Sequence, residues 1–378
     1  MNTRRSMLIL SFSPITDDAR VLKQVAHFSQ QFDVTTCGFG DAPAGAVEHL
    51  RVPEGLRTDD LDGRLITLKL YGRAYWKLSA IAWARRALAG RRFDVAIADD
   101  VEAVPIAVEV KPTCGVLADL HEYTPRLHDD NPAWLRRITP FWEWVTRRYV
   151  TKARSWSTVS RGLAAEYEKN FGFRAELVTN AAPYAELAPT PVSRPLRLVH
   201  SGAALRNRHL ATMAEAVIAA ESDVTLDFYL TPNHADVIDE LQRLAQRSPR
   251  IRVNAPVPYR DLVRTLNGFD VGVFVLEPVT FNYAHALPNK LFDYVQARLG
   301  ILVGPSPEMA DYVRRFEVGV VAEGFTVEAT RRAVDGLSPE VVTEFKANAD
   351  RRAAELDGSK QVLIWDGMIR RQLEETRA

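Results

Sequence analysis

The sequence predicts an α/β protein built of two doubly wound domains, each a parallel sheet covered by helices. Three observations carry that reading. Short apolar, β-branched runs alternate with helix-length amphipathic segments, the pattern of strand–helix–strand units. The alternation stops once, over residues 183–195, where prolines stand at 183, 189, 191 and 195; proline fixes φ and removes a donor, so this stretch reads as a stiff linker. A second alternating series then follows, and 378 residues suit two domains.

Taken in order, residues 7–12, 34–37, 65–70, 95–98, 115–118 and 155–159 read as strands, with helices over 19–30, 75–89, 133–152 and 161–170. After the linker, strands are expected over 196–200, 225–230, 251–254, 271–276, 300–303 and 319–322, with helices between them, for example 209–220 and 235–246. Residues 359–378 read as one more helix, its apolar stripe formed by Val362, Leu363, Trp365, Ile369 and Leu373; such a stripe must be buried, and packing back on the first domain would bury it. The expected domains are 1–185, 186–358 and the crossing helix 359–378. In this architecture ligands belong at the carboxyl ends of the strands, in a cleft between the domains.

Composition narrows the function. Forty-eight basic residues balance forty-eight acidic ones, against a dedicated nucleic-acid binder, which carries a basic excess. Cys37 and Cys114 sit in apolar runs and read as buried thiols, too few for a disulfide framework or a four-thiolate metal site. No apolar run reaches the ~20 residues that span a bilayer. The apolar stretch 7–12 is too short for a signal peptide, so a cytoplasmic protein is the expectation.

The chemistry-bearing residues gather at predicted strand ends. After the first strand, Asp17 or Asp18 either caps the next helix or faces an acceptor. The fifth strand runs into Asp119-Leu120-His121-Glu122; a histidine between two acids at such an end suits a ligand contact, its tautomer held by Asp119 or Glu122. The second domain opens with Ser201-Gly202-Ala203-Ala204-Leu205-Arg206-Asn207-Arg208. A strand, a glycine turn and a helix start form an anion site, and Arg206 and Arg208 add donors matched to phosphate. It is neither a P-loop nor Gly-x-Gly-x-x-Gly, which removes support for a nicotinamide or flavin cofactor. The richest stretch holds Glu277, Asn282, His285 and then Leu287-Pro288-Asn289-Lys290-Leu291-Phe292-Asp293-Tyr294. Pro288 suits a helix's first turn, and Asn289 and Asp293, four apart, share a face. Lys290 lies where a diphosphate would be drawn.

That last run resembles the Pro-x-Lys-Leu-Phe-Glu-Tyr signature of GT-B glycosyltransferases related to family 4. Asp18-Ala19-Arg20-Val21 resembles the family's first-loop motif, Asp119-Leu120-His121-Glu122 its Asp-x-His-Glu element, Val159-Ser160 to Asn180 its segment before the linker, and Ser201-Gly202 to Arg208 its donor-phosphate loop. The resemblance covers nearly the whole chain. It implies the GT-B fold of two Rossmann-like domains and transfer of a sugar, with retention and without a metal, from a nucleotide-diphosphate sugar to a hydroxyl. UDP and GDP sugars are the expected donors and no separate cofactor is implied. On this reading His121, Arg208 and Lys290 are expected to take catalytic roles. Gly202, Arg206, Glu277, His285, Asn289 and Asp293 are expected to bind the donor, and Asp17, Asp18 and Glu122 the acceptor. The sequence departs at His285, where the family's first carboxylate is usual, with Glu277 the candidate replacement, and in a first loop that is not glycine-rich. A GT-B sugar-nucleotide epimerase and a binding protein on a decayed GT-B fold are the rival readings.

The neutral total hides an asymmetry. Residues 64–92 carry eight basic residues and no acid, and 131–154 carry six against Glu143 alone, interleaved with Tyr71, Tyr75, Trp76, Trp83, Trp134, Phe141, Trp142, Trp144 and Tyr149. Basic-aromatic stretches suit an anionic membrane surface or a lipid-diphosphate acceptor; equally, the aromatics are core and the arginines solvated. The expected acceptor is a glycan, a lipid-linked sugar or a small molecule, reached at the inner face of the membrane if the first reading holds.

Overall fold

The computed structural model describes residues 4–376. The chain divides into two compact units. One comprises residues through Thr179, Thr280–Asn282 and the chain from Gln361 onward; the other comprises Asn180–Val279 and Tyr283–Lys360.

The first unit holds a seven-stranded parallel sheet. Its strands are β1 (Arg5–Pro14), β2 (Phe32–Phe39), β3 (Glu48–Arg51), β4 (Val95–Asp99), β5 (Val116–Leu120), β6 (Ser155–Thr158) and β7 (Glu176–Leu177), in the order β3-β2-β1-β4-β5-β6-β7. Successive β1 residues point to opposite faces, and both faces are buried: Met7 and Ile9 enter one core cluster, Leu8 and Leu10 another. This double burial is why β1 reads as a continuous apolar run. The terminal helix Gly358–Glu375 belongs to the Met7 face, where Val362, Trp365, Met368 and Ile369 are buried against Val21, Val25 and Phe28.

The second unit holds a six-stranded parallel sheet of β8 (Leu196–Ala203), β9 (Val224–Thr231), β10 (Ile251–Asn254), β11 (Val271–Phe274), β12 (Gly300–Val303) and β13 (Gly319–Val321), ordered β10-β9-β8-β11-β12-β13. The strand order reverses between β1 and β4 in one sheet and between β8 and β11 in the other. Loops diverge at such points and open a crevice outside the carboxyl ends of the strands.

Several expectations are corrected. Residues 65–70 alternate like a strand but form a helix, Gly63–Thr67, because Asp62 accepts from the Arg64 and Leu65 amides; Lys69, at φ 54°, then ends it. The third strand of the chain is instead β3, too short and polar to be seen as one, and β7 has two residues. The helix expected over 133–152 is broken into Pro132–Arg137, Thr139–Arg148 and a 3₁₀ turn, Val150–Lys152; Pro140 cannot donate into a continuous helix, so a new one starts around it. The helix expected over 75–89 likewise divides at Leu78 into Tyr71–Lys77 and Ser79–Ala87. Leu363 faces solvent, 59% exposed, and Met368 takes its place on the stripe. Cys37 and Cys114 are buried free thiols, and burial pushes Cys37 up to about 12. No helix among the described residues is long and apolar enough to cross a membrane.

The aromatic residues of the two basic stretches are chiefly core. Tyr75, Phe141 and Trp142 are buried, and Tyr71, Trp76, Trp83, Trp134, Trp144 and Tyr149 pack against the same cluster. What these helices expose is basic and aliphatic: Arg64, Lys69, Arg73, Arg136 and Arg137, with Leu68, Leu70 and Leu135.

Candidate functional site

In the first unit the carboxyl ends of β4 and β5 hold a cluster of buried charge. Asp119, fully buried, accepts a two-pronged bond from Arg20, with Nε–Oδ2 2.7 Å and Nη2–Oδ1 2.6 Å. Arg20 stands in the first turn of the helix Ala19–Phe28, donates also to the Val178 carbonyl at 2.7 Å, and lies 4.7 Å from the Trp365 ring. Ser157 donates to Asp119 at 2.6 Å and Gln24 to Asp99 and Asp119 at 2.8 and 3.0 Å. Burial would raise Asp119, but the Arg20 charge and its hydrogen bonds hold it well below the usual carboxylate range. Asp99 is not engaged by the Arg20 fork, and burial pushes it up to about 7 against the opposing hydrogen bond and charge of His121.

His121 follows β5 and faces three carboxylates. Nδ1 lies 3.3 Å from Asp100, and Nε2 lies 3.3 Å from Asp119 and 3.6 Å from Asp99. Its backbone amide donates to Asp100 Oδ1 at 2.8 Å. Burial disfavours the charged ring, but Asp100 and Asp119 outweigh it and raise His121 well above its ordinary value. The ring is therefore an imidazolium near neutrality. Asp99, Asp100 and Asp119 supply six carboxyl oxygens around Arg20 and His121, a setting rich in acceptors for hydroxyl groups. Asp99, Asp119 and His121 bring ligand-type atoms within 4.8 Å of one another, while the Arg20 fork already engages both Asp119 oxygens.

The other residues assigned here from sequence have simpler surroundings. Asp18 caps the helix Ala19–Phe28, accepting from the Arg20 and Val21 amides at 3.0 and 3.2 Å, and Asp17 is exposed. Glu122 is exposed, and its carbonyl accepts from the Tyr167 hydroxyl at 2.6 Å. His121 is held by Asp99, Asp100 and Asp119 rather than by Glu122. Asn282 pairs with the Tyr123 amide at 2.7 Å.

In the second unit a cavity of about 380 Å³ lies at the carboxyl ends of β8 and β9, lined by Ser201, Gly202, Tyr229, Tyr259, Lys290 and Asp293 among others. The helix Asn289–Gln296 begins at its edge, with Pro288 in the capping position just before the first turn. Asn289 and Asp293 line the cavity together, as their spacing predicts, and Asp293 is buried. Lys290 Nζ lies 3.9 Å from the centre of the Phe274 ring and 3.5 Å from His200 Nε2. Gly202, at φ 138°, lets the amine come close: a Cβ there would sit 2.9 Å from Nζ. Arg208 lies 5.7 Å from the same Phe274 ring and 5.3 Å from Tyr283. Among the described residues no carboxylate lies within ion-pair distance of Arg208 or Lys290. Burial, then the Arg208 charge, pushes Lys290 down to about 7 against the pull of Asp293.

Arg206 is not part of this group. It is exposed and forms a two-pronged ion pair with Asp236 at 2.7 and 2.8 Å. The loop after Gly202 is a 3₁₀ turn, Arg206–Arg208, and the helix proper starts at Leu210. Glu277 is exposed, with His209 4.0 Å away, and His285 lies 3.6 Å from Glu308. Sequence reading missed Arg20, Asp99, Asp100 and His200, whose partners are distant in the chain. A larger hollow of about 700 Å³, lined by Arg85, Phe93, Lys111 and Thr113, lies at the opposite, amino ends of β4 and β5.

No protein-family model matches the sequence, and no curated protein matches it. Solved structures do. Sucrose-phosphate synthase from Thermosynechococcus elongatus superposes with a TM-score of 0.69 at 12% identity, over 98% of this chain and 100% of that one. Anabaena HepE in complex with UDP-glucose gives 0.69 at 11% identity, over 97% and 99%. WaaG, a glycosyltransferase involved in lipopolysaccharide biosynthesis, gives 0.60 at 15% identity, over 95% and 99%. With its two parallel sheets of the same winding and a terminal helix returned to the first unit, the chain has the GT-B fold of these glycosyltransferases.

Proposed function

We propose that the protein is a glycosyltransferase that moves a sugar from a nucleotide-diphosphate sugar to an acceptor hydroxyl, with retention and without a metal ion, in glycan or glycoconjugate assembly. The observation that carries this reading is the placement of Lys290 and Arg208 together on the Phe274 ring beside the cavity, with no carboxylate within ion-pair distance of either among the described residues. Two basic groups crowded in a partly dry setting gain from an anion, which favours the charged form of Lys290, and charge builds on the diphosphate as the glycosidic bond breaks. Asp293 and Asn289 would hold the ribose and Gly202 the phosphate approach. The His121 cluster in the first unit suits sugar and acceptor hydroxyls. Likeness to a solved UDP-glucose complex supports a nucleotide-sugar donor. The test is thermal stabilisation by uridine, guanosine and adenosine diphosphates without added metal. At least one raises the midpoint; no shift with any of them removes the donor site.

The acceptor reading includes a lipid-linked hydroxyl presented at an anionic bilayer. Arg137 Nη2 lies 3.4 Å from the Gly63 carbonyl and 3.3 Å from Thr67 Oγ1, which joins the helices Gly63–Thr67 and Pro132–Arg137. Leu68, Leu70 and Leu135 are 67%, 40% and 43% exposed there beside exposed basic side chains, the combination that inserts shallowly and is held by charge. Co-sedimentation with vesicles containing phosphatidylglycerol, lost in a Leu68→Ser, Leu70→Ser double variant, is the expected result. Equal sedimentation of both proteins removes this face from the reading.

A further inference from the structure

His200 stands in β8, fully buried, between the Phe228 and Phe274 rings at centroid distances of 5.9 and 5.6 Å. A polar ring in so apolar a place needs partners at both nitrogens. Nδ1 lies 2.8 Å from the Val273 carbonyl in β11. A carbonyl only accepts, so Nδ1 carries the hydrogen. Burial, together with the Lys290 and Arg208 charges, lowers His200 well below its ordinary value, so the ring is neutral. Its Nε2 is then a bare lone pair, and it faces Lys290 Nζ at 3.5 Å. Lys290 thus meets an acceptor on one side, the Phe274 face on another, and the open Cα of Gly202 on a third.

We propose that His200 is the positioning residue for Lys290: its imidazole, locked as the Nδ1–H tautomer by Val273, accepts from the lysine and aims it across Gly202 at the donor's diphosphate. The proposal rests on the donor-site reading above. An apolar residue at 200 would fill the same volume but leave Lys290 without a direction, and a flexible side chain pays entropy for every position it must be brought back to. A protonated histidine would repel the lysine; burial and the neighbouring basic groups disfavour that form, and the Val273 carbonyl decides which nitrogen is left bare.

The test is a double-variant cycle on uridine diphosphate binding by calorimetry, with His200→Leu, Lys290→Met and both together, guanosine diphosphate serving if the uridine compound does not bind. His200→Leu weakens binding roughly tenfold in the native background and has no further effect once Lys290 is Met, as expected for a residue that acts through another. His200→Gln keeps an amide donor and an amide acceptor, folds without a buried void, and holds affinity to within about threefold of the native protein. An equal loss from His200→Leu in both backgrounds, or no loss, overturns the proposal and leaves the donor site standing. If the native protein binds neither nucleotide, the donor reading falls, and the proposal with it. If His200→Leu does not fold, His200→Gln decides: a loss as large as that of Lys290→Met overturns the proposal.

Discussion

The two units each hold a histidine toward the carboxyl end of a parallel strand, His121 partly buried and His200 fully buried, and treat it in opposite ways. His121 lies among Asp99, Asp100 and Asp119 and is raised. His200 lies among Phe228, Phe274, Lys290 and Arg208 and is lowered. Neither difference comes from the residue, whose unperturbed value is the same in both places. It comes from which charges share the low-dielectric space. One unit gathers carboxylates around its histidine and the other gathers basic groups; under the proposed function the first would meet hydroxyl groups and the second phosphate.

The sharpest way to break the acidic half is Arg20→Leu. It leaves Asp119 buried without its cation, and the expected loss is about 3–5 kcal/mol of stability, read by denaturant unfolding. A loss below about 1 kcal/mol would mean that the cluster does not depend on Arg20.

The cationic half is tested by Lys290→Ala and Arg208→Ala. Each removes a charged donor to phosphate, which is worth about 1.5–3 kcal/mol, or roughly ten- to a hundredfold in nucleotide affinity; unchanged affinity in both variants would undo the assignment. Lys290 also makes binding pH-dependent. Free, it loses its proton at about 7; a bound diphosphate favours the charged form. Above that pH, binding takes up a proton, so affinity falls as pH rises, by up to tenfold per unit. Calorimetry at pH 8 in buffers of different ionisation enthalpy reads that uptake, which Lys290→Met abolishes.

The histidines themselves give a smaller, paired effect. His121 is raised, so its contribution is complete below about 6.5 and is lost as pH climbs through its higher folded value. His200 is lowered, so the unfolded chain takes a proton near 6.5 that the folded chain refuses, and stability falls on acidification below that point, by up to about 1.4 kcal/mol per pH unit. Melting midpoints from pH 5 to 9 should therefore show the acid-side loss reduced in His200→Gln and the alkaline-side loss reduced in His121→Gln. The same profile in both variants would erase the contrast. The smallest effect is local: Asp18→Ala removes the cap of the Ala19–Phe28 helix for about 1 kcal/mol. A large loss of activity with unchanged stability would instead place Asp18 at the acceptor.

Legibility followed sequence distance. The run 287–294 declares its helix start, cation and acid within eight residues, and all three meet at the cavity in the structure. Asp18 was readable as a cap for the same reason. Arg20 was visible only as a motif letter, since its partner Asp119 is 99 residues away. His200 looked like one more strand residue, since Val273 and Lys290 are 73 and 90 residues away. Arg206 was assigned to phosphate on proximity to Gly202; its exposed ion pair with Asp236, 30 residues on, was not readable from that proximity. Residues 65–70 misled because period-two alternation over six residues also fits a capped helical turn followed by a break.

By itself, then, the chain determines that it makes two wound parallel sheets: a strand buried on both faces must be apolar throughout, and a helix laid on it must be amphipathic, so local pattern suffices. It also determines where strands end and polar residues begin. Which charges meet there is another matter. Burial multiplies the effect of a neighbour's charge, and neighbours at a strand end come from separate strands brought side by side by the sheet order. Only the tertiary structure therefore decides that one histidine is an acid's partner and the other a lysine's.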